Sequence, residues 1–442
     1  MEDIENFLSG RIWLRAFTPF PKEQIDSCIE MDKIAVLPGI TPLLACGRCQ
    51  EKSPHKIKQF HCHKCNTVCY YCRHCIRMGR VSSCTELITW AVTPLKSPKN
   101  HSFVWNGQLT PSQHQASIEL TASLHNQSSH LIYAVCGAGK TELLFPAIFE
   151  SLKKGLRVCV AAPRTDVVLE LSPRFRAVFP DTVIHTLYGG SPHEEGFADL
   201  IIATTHQLYR FHQAFDVMIV DEADAFPYSY DQTLKGAVSK AKKEAAPIVY
   251  VSATPSAELL KTVPNRSEIF RRFHGNPLPE PRFVSLWNYK KSFSKNKIPA
   301  KLLEWIQERL EKEEPFLLFL PTIELINSSI ELFKRVDPRI EVVHASDPDR
   351  KQKVLNLRQG TIPGVLTSTI LERGITIPNV QVAVVGADEA IFNAAALIQI
   401  AGRVGRSAEN PTGDVVFYHD GIVREMDIAK RMITAYNRRD GK

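Results

Sequence analysis

The chain has 442 residues, 44% of them hydrophobic, enough for roughly two to four packed domains, which excludes a disordered polymer. Lys and Arg outnumber Asp and Glu by 54 to 47, a formal charge of +7 that points only weakly to a nucleic-acid partner. No apolar run approaches the roughly eighteen residues of a membrane-spanning helix, and the acidic opening MEDIENFLSGRIW lacks the basic start of a secretory signal, so a soluble, cytoplasmic protein is expected.

The first expected domain, residues 1–98, is organised around cysteine. Eight of the eleven cysteines fall between residues 46 and 84, in a compartment that favours metal or redox chemistry over disulfides. Cys46-x2-Cys49-x12-Cys62-x2-Cys65 has the spacing of a zinc ribbon, in which two knuckles offer four thiolates to one tetrahedral ion. Cys69, Cys72, Cys75 and Cys84 then supply either a second Zn²⁺ or, in a cross-braced arrangement, replacement ligands. One zinc with the remaining thiols buried, an iron–sulfur cluster and a thioredoxin-like pair are the competing readings; the last lacks its βαβ context. The same segment carries eight Lys or Arg against the single acid Glu51, with Tyr70 and Tyr71 interleaved. That composition suits phosphate or stacked bases better than electron transfer, although docking of a protein partner is equally compatible with the charge.

After Trp90, AVTPLKSPKNHS reads as a linker. The expected second domain, residues 99–280, alternates apolar runs (LIYAV, RVCVAA, DLIIAT, DVMIV, PIVYVSA) with helix-length amphipathic stretches. This is the pattern of a parallel sheet covered on both faces. A Pro- and charge-rich break at NRSEIFRRFHGNPLPEPRF follows, and the pattern resumes over 281–442 with PFLLFL, RIEVVHA, GVLTST and VQVAVVGA. The expected fold class is therefore α/β: two parallel-sheet domains behind a small cysteine-rich zinc module.

Ala134-x4-Gly139-Lys140-Thr141 follows an apolar strand and opens a helix, as a phosphate-binding loop does. Cys136, Gly137, Ala138, Gly139 and Thr141 are expected to line the phosphates of ATP. Lys140 would reach their charge, and the Thr141 hydroxyl would ligate Mg²⁺. DEAD (Asp221 to Asp224) follows the apolar run DVMIV, which assigns Asp221 to the metal and Glu222 to activation of water. Cys136, Cys159, His344, Trp13, Trp90 and Trp105 are read as packing or linker residues.

DEAD, together with SAT at Ser252-Ala253-Thr254, resembles the superfamily 2 helicases and translocases, whose fold is a pair of RecA-like domains. Later stretches are similar to that superfamily in the same order: LTSTILERGITIPNV with its Glu372-Arg373-Gly374 core, and QIAGRVGR with Gln399, Gly402, Arg403, Gly405 and Arg406. Upstream, LTPSQHQA places Gln113 where these proteins contact adenine, while APRTDVVLEL and TTHQLYR resemble their nucleic-acid-contacting elements. The resemblance implies that Gly374 and Gln399 lie at the nucleotide and that Arg403 and Arg406 act as arginine fingers on the charge of phosphoryl transfer.

PRTDVV, ERGITIP and QxAGRxGR look closer to bacterial DNA motors such as the primosomal helicase PriA than to RNA helicases. With CxxC pairs ending in YCRHCIRMGRVSSC ahead of the motor, the chain resembles the ComFA family of late-competence ATPases of Gram-positive bacteria. That family implies import of single-stranded transforming DNA into the cytoplasm and association with the phosphoribosyltransferase-like competence protein ComFC. It also implies work at the inner face of the membrane channel, in contact with other competence proteins. Self-association is compatible with such a motor. The alternatives are a duplex-unwinding helicase of replication restart and a DNA-binding adaptor with a regulatory ATPase.

Overall fold

The computed structural model describes residues 1–91, 99–192, 194, 196–373 and 376–439. Tertiary contacts divide the chain into two units, residues 1–132 with 141–267, and residues 133–140 with 268–442.

The N-terminal part of the first unit contributes β1 (Trp13–Leu14), β2 (Ile34–Pro38), β3 (Ile57–Cys62), β4 (Thr67–Cys72) and β5 (Glu86–Trp90). β5 lies between β1 and β2 in an antiparallel sheet. The short helices Glu2–Leu8 and Lys22–Glu30 close this sheet, burying Ile4, Phe7, Leu8, Ile25 and Cys28 against Ile88 and Trp90. β3 and β4 form a separate antiparallel hairpin, in register from Ile57 opposite Cys72 to Cys62 opposite Thr67. Asn66 takes a left-handed φ of 50° in its turn, a conformation that Asn tolerates better than most residues.

A seven-stranded sheet follows: β6 (His130–Ala134), β7 (Val158–Ala162), β8 (Ile184–Leu187), β9 (Leu200–Thr204), β10 (Val217–Val220), β11 (Ile248–Ser252) and β12 (Arg266–Ile269). Its order is β12-β6-β11-β10-β7-β9-β8, and β10 runs parallel to both β11 and β7. Every residue of β6, β7, β9 and β10 is buried, which explains why these strands read as unbroken apolar runs rather than alternating ones. The helix Pro111–His125 begins with Pro at its first turn and a reciprocal cap: the Gln113 amide donates to the Thr110 hydroxyl, and the Thr110 amide donates to the Gln113 side chain.

The second unit is built on β13 (Arg282–Ser285), β14 (Phe316–Phe319), β15 (Glu341–Val343), β16 (Gly364–Thr367), β17 (Gln381–Val385) and β18 (Val415–His419), in the order β13-β18-β17-β14-β16-β15. All of these pairings are parallel. Leu302, Trp305, Ile306, Ile326 and Phe333 from two flanking helices pack on Phe316, Leu318 and Val416. Lys140 and Thr141 follow β6, Asp221 and Glu222 follow β10, and Glu372 follows β16, at the C-terminal ends of strands where open parallel sheets place their ligands, whereas Gln113, Gln399, Arg403 and Arg406 lie on or beside helices. The expected α/β class with two RecA-like domains is therefore what the chain forms.

Candidate nucleotide site and cysteine tetrads

The phosphate loop leaves the C-terminal end of β6, and its bends fall at Gly137 and Gly139, which adopt φ of 81° and 69°. Only glycine takes such angles without a Cβ penalty, so a loop bent in this way requires glycine there. The Lys140 ammonium turns back onto the loop, donating to the carbonyls of Ala134 (3.1 Å) and Val135 (3.4 Å). In the second unit the same loop meets the helix Ala394–Ala401, where the Cys136 thiol donates to Gln399 Oε1 at 2.7 Å. A Cβ on Gly402 would lie 2.6 Å from the Cys136 Cβ, so this approach depends on glycine.

Arg403 donates from Nε and Nη2 to the carbonyl of Glu372 at 2.8 and 2.6 Å, joining the QIAGRVGR and LERG stretches. Arg406 donates to the Gly402 carbonyl at 3.1 Å. Gly374 lies outside the described residues. Arg272, in the stretch read as a break, is fully buried and donates to the Gly405 carbonyl. Burial lowers its pKa to about 10. No motif in the sequence pointed to it.

In the first unit, Asp221 follows β10 and is held by its amide donating to the Ala161 carbonyl at 2.8 Å. Its Oδ1 accepts from the amide of Glu222, which has a left-handed φ of 50°. Asp224, given no role from sequence, accepts from the hydroxyls of Ser252 (2.7 Å) and Thr254 (2.6 Å), tying DEAD to SAT. Thr141 accepts from Arg174 Nη1 at 3.3 Å, and Arg174 also pairs with Glu142. Arg174 stands on the helix Thr165–Val178 that APRTDVVLEL opens, and nothing in its local sequence marks it.

The eight clustered cysteines form two groups, and the ribbon pairing expected from spacing is not among them. Cys46 and Cys49 join Cys72 and Cys75, whereas Cys62 and Cys65 join Cys69 and Cys84. The hairpin explains the exchange: Cys62 and Cys69 face one side of it, while Cys72 faces the other. Within each group the sulfurs lie within 4.8 Å of one another. Separations of 3.7 Å (Cys46–Cys75), 3.5 Å (Cys49–Cys72), 3.6 Å (Cys62–Cys84) and 3.3 Å (Cys65–Cys69) approach the roughly 3.8 Å edge of a tetrahedron with Zn–S bonds near 2.3 Å. Mutual hydrogen bonding splits the first group, with Cys72 and Cys75 pulled down and Cys46 and Cys49 pushed up. Both donor sets fit zinc.

The two tetrads differ in setting. The first lies in one hydrophobic core with Leu208, Tyr209, Phe211 and Ala237 of the motor. Arg48 is buried beside it and donates to Cys75 Sγ at 3.2 Å and to the carbonyls of Cys75, Met78 and Gly79. The Lys240 ammonium donates to the carbonyls of Arg48 and Tyr209. The second tetrad sits toward the tip of the hairpin, with Cys65 exposed. Among the described residues, no helix is long and apolar enough to cross a membrane.

Residues 1–89 match the family described as Competence protein ComFA N-terminal domain, 106–257 the Type III restriction enzyme, res subunit, and 295–408 the Helicase conserved C-terminal domain. Competence protein ComFA of Bacillus subtilis (strain 168) is 42% identical over 99% of this chain and 95% of its own. Competence protein ComFA of Streptococcus pneumoniae (strain ATCC BAA-255 / R6) is 38% identical over 88% and 94%. Among solved structures, S. cerevisiae Dbp5 bound to RNA and ADP BeF3 is similar with a TM-score of 0.57 at 18% identity, covering 74% of this chain and 88% of that one, a likeness of fold alone. The helicase domains and their order make the chain an ATP-hydrolysing, superfamily 2 helicase-like enzyme. With relatives this similar over nearly its whole length, the chain belongs to the competence protein ComFA family.

Proposed function

We propose that the chain is a Mg·ATP-dependent translocase, stimulated by single-stranded DNA, that draws transforming DNA into the cytoplasm during natural competence. The observation that carries the reading is 42% identity to a competence protein over 99% of the chain.

In this reading the amides of Cys136 to Thr141 cradle the phosphates of ATP, and Lys140 leaves its carbonyl partners to neutralise their charge. Thr141 and Asp221 hold Mg²⁺, which supplies charge neutralisation on the transferring phosphoryl group. Glu222 accepts the proton of the attacking water. Arg403 and Arg406 stabilise the negative charge that develops, while Gln113, Gly374 and Gln399 border the nucleotide. The Asp224 bonds to Ser252 and Thr254 give one route by which a change at the nucleotide moves the end of β11. The two tetrads hold one zinc each and keep the N-terminal module folded. The protein partner proposed is a ComFC-like phosphoribosyltransferase-fold competence protein, with the chain acting peripherally at the inner face of the membrane.

The test is ATP turnover with single-stranded DNA, duplex DNA and RNA, with Lys140→Ala as the blank. Stimulation confined to single-stranded DNA is expected, and equal stimulation by RNA overturns the reading. Strand separation on forked DNA would instead favour a replication-restart helicase. Full DNA uptake by an Asp221→Asn variant devoid of hydrolysis would favour an adaptor.

A further inference from the structure

The β3–β4 hairpin presents a face that the motor chemistry does not use. In its antiparallel register, Lys58 lies opposite Tyr71, Phe60 opposite Cys69 and Cys62 opposite Thr67, so these six side chains share one side. The other side carries Ile57 and Cys72 into the core shared with the motor, and Tyr70 packs against that core too. The two adjacent tyrosines of the sequence therefore have different surroundings, and Tyr71 belongs to the outward side. There its ring meets that of Phe60 edge-on, with centroids 5.5 Å apart at 87°, and the Arg80 guanidinium lies 4.9 Å above the Phe60 ring.

Among the exposed side chains between Cys46 and Cys84 the formal charge has one sign. Lys52, Lys56, Lys58, Lys64, Arg73, Arg77 and Arg80 are all exposed. Glu51, the one acid between Cys46 and Cys84, is half-buried and lies 3.7 Å from His74. Among the described residues, none of the seven exposed cations forms an ion pair. Seven exposed cations exceed the net charge of −2 that each tetrathiolate–zinc centre would carry, and the excess attracts a polyanion, while rings flanked by a guanidinium offer a surface on which unpaired bases stack. A duplex presents phosphates, sugars and groove edges but keeps its base faces stacked inside, so stacking on the rings adds affinity only for a single strand.

We propose that the hairpin face formed by Lys58, Phe60, Tyr71 and Arg80 is a binding surface for single-stranded DNA, additional to the motor elements APRTDVVLEL and TTHQLYR. The proposal rests on the reading of the chain as a DNA-stimulated motor. The second tetrad, with Cys62 and Cys69 on the same side of the hairpin, holds that face in register. Such a surface gives the chain a hold on the strand that does not depend on the state of the nucleotide.

The experiment is fluorescence anisotropy of a labelled oligothymidylate, and of a duplex of equal length, titrated with full-length protein across a range of salt. The Lys58→Gln/Arg80→Gln variant is expected to bind the single strand about tenfold more weakly, with the slope of log K against log salt shallower by about 1.4, two phosphate contacts at roughly 0.7 each. Tyr71→Leu is expected to weaken single-strand binding about tenfold at an unchanged slope, while duplex binding stays constant. Zinc content and melting temperature, measured alongside, separate loss of the surface from loss of the fold. Wild-type affinity and slope in both variants overturn the proposal and leave the face to a protein partner. Equal loss on duplex in Tyr71→Leu overturns the single-strand assignment. A wild-type protein whose ATP turnover ignores single-stranded DNA rejects the functional reading, whereas unchanged binding by the variants of a responsive motor rejects this face alone.

Discussion

His74 and Tyr209 are joined by a hydrogen bond: imidazole Nε2 lies 2.8 Å from the phenol oxygen, and the rings meet edge-on with centroids 5.4 Å apart. His74 stands between two ligands of the first tetrad, and Tyr209 belongs to TTHQLYR at the end of β9. Thr233 closes the triangle, 3.0 Å from His74 Nε2 and 2.8 Å from the Tyr209 oxygen, and donates in turn to Asp231, the cap of the helix Gln232–Ala241. The cysteine module and the motor's first sheet thus share polar contacts as well as a core. Tyr209→Phe keeps the packing and removes the phenol, a loss of about 1 kcal/mol for a partly buried hydrogen bond. The melting transition of the first unit is expected to fall by roughly 2–4 °C at unchanged zinc content. Calorimetry showing no shift would mean that the contact contributes nothing to stability.

The contrast between the tetrads predicts unequal consequences of losing each ion. Metal analysis of the wild-type protein should find two zinc ions per chain and no stoichiometric iron. Cys65→Ser should lose one ion with little change in the melting of the motor, because Cys65 is exposed. Cys49→Ser should also lose one ion but lower that melting by well over 5 °C, since Cys49 sits in the core with Leu208 and Phe211. Metal binding that is coupled to folding makes the second loss a loss of structure. Equal melting of the two variants would contradict the division between a built-in and a peripheral site.

The motor was legible because its chemistry is local. GKT after a strand and DEAD after a strand are continuous in sequence, and buried parallel strands announce themselves as apolar runs, so β6, β7, β9 and β10 fall where periodicity placed them. The cysteine pairing was legible only as an open alternative, an exchange of ligands between knuckles whose partners the sequence did not name. Spacing favoured Cys46 and Cys49 with Cys62 and Cys65, but the β3–β4 register turns Cys62 and Cys72 to opposite sides, a fact held in backbone pairing and not in loop lengths. Arg174 and Asp224 escaped for a related reason: each acts on a residue distant in sequence, Thr141 or the SAT pair, and no local pattern encodes such a meeting.

Asp224 accepts from two hydroxyls, and removing one tests whether SAT steadies Asp221 and Glu222, the carboxylates proposed to act on Mg²⁺ and water. Thr254→Val preserves shape while removing one of the two hydroxyls and keeping the Ser252 bond. If the link orients Asp221 and Glu222, ATP turnover at saturating DNA should fall about tenfold, equivalent to roughly 1.4 kcal/mol of transition-state stabilisation. Adding Ser252→Ala should cost less than the sum of the separate effects, because both act through one carboxylate. Additive losses in a double-mutant cycle would show that the two hydroxyls act independently.

His130 predicts how the first unit responds to acid. Its ring is buried at the start of β6, with Nδ1 2.9 Å from Ser123 Oγ and Nε2 3.0 Å from Ser267 Oγ. Burial holds its pKa below the ordinary histidine value of 6.5, outweighing the opposite pull of Glu119. The folded state therefore refuses a proton that the unfolded chain accepts below about pH 6.5. Stability is fully present above that pH and declines as pH falls toward the folded pKa, by at most about 1.4 kcal/mol per pH unit for one proton. His101, His206 and His212 in the same unit are also held low, chiefly by burial, and add to the slope. Melting curves between pH 7.5 and 5.5 should show the transition moving down with acid, and His130→Gln should flatten that dependence below pH 6.5. A variant that follows the wild-type slope would show that the His130 proton does not couple to folding.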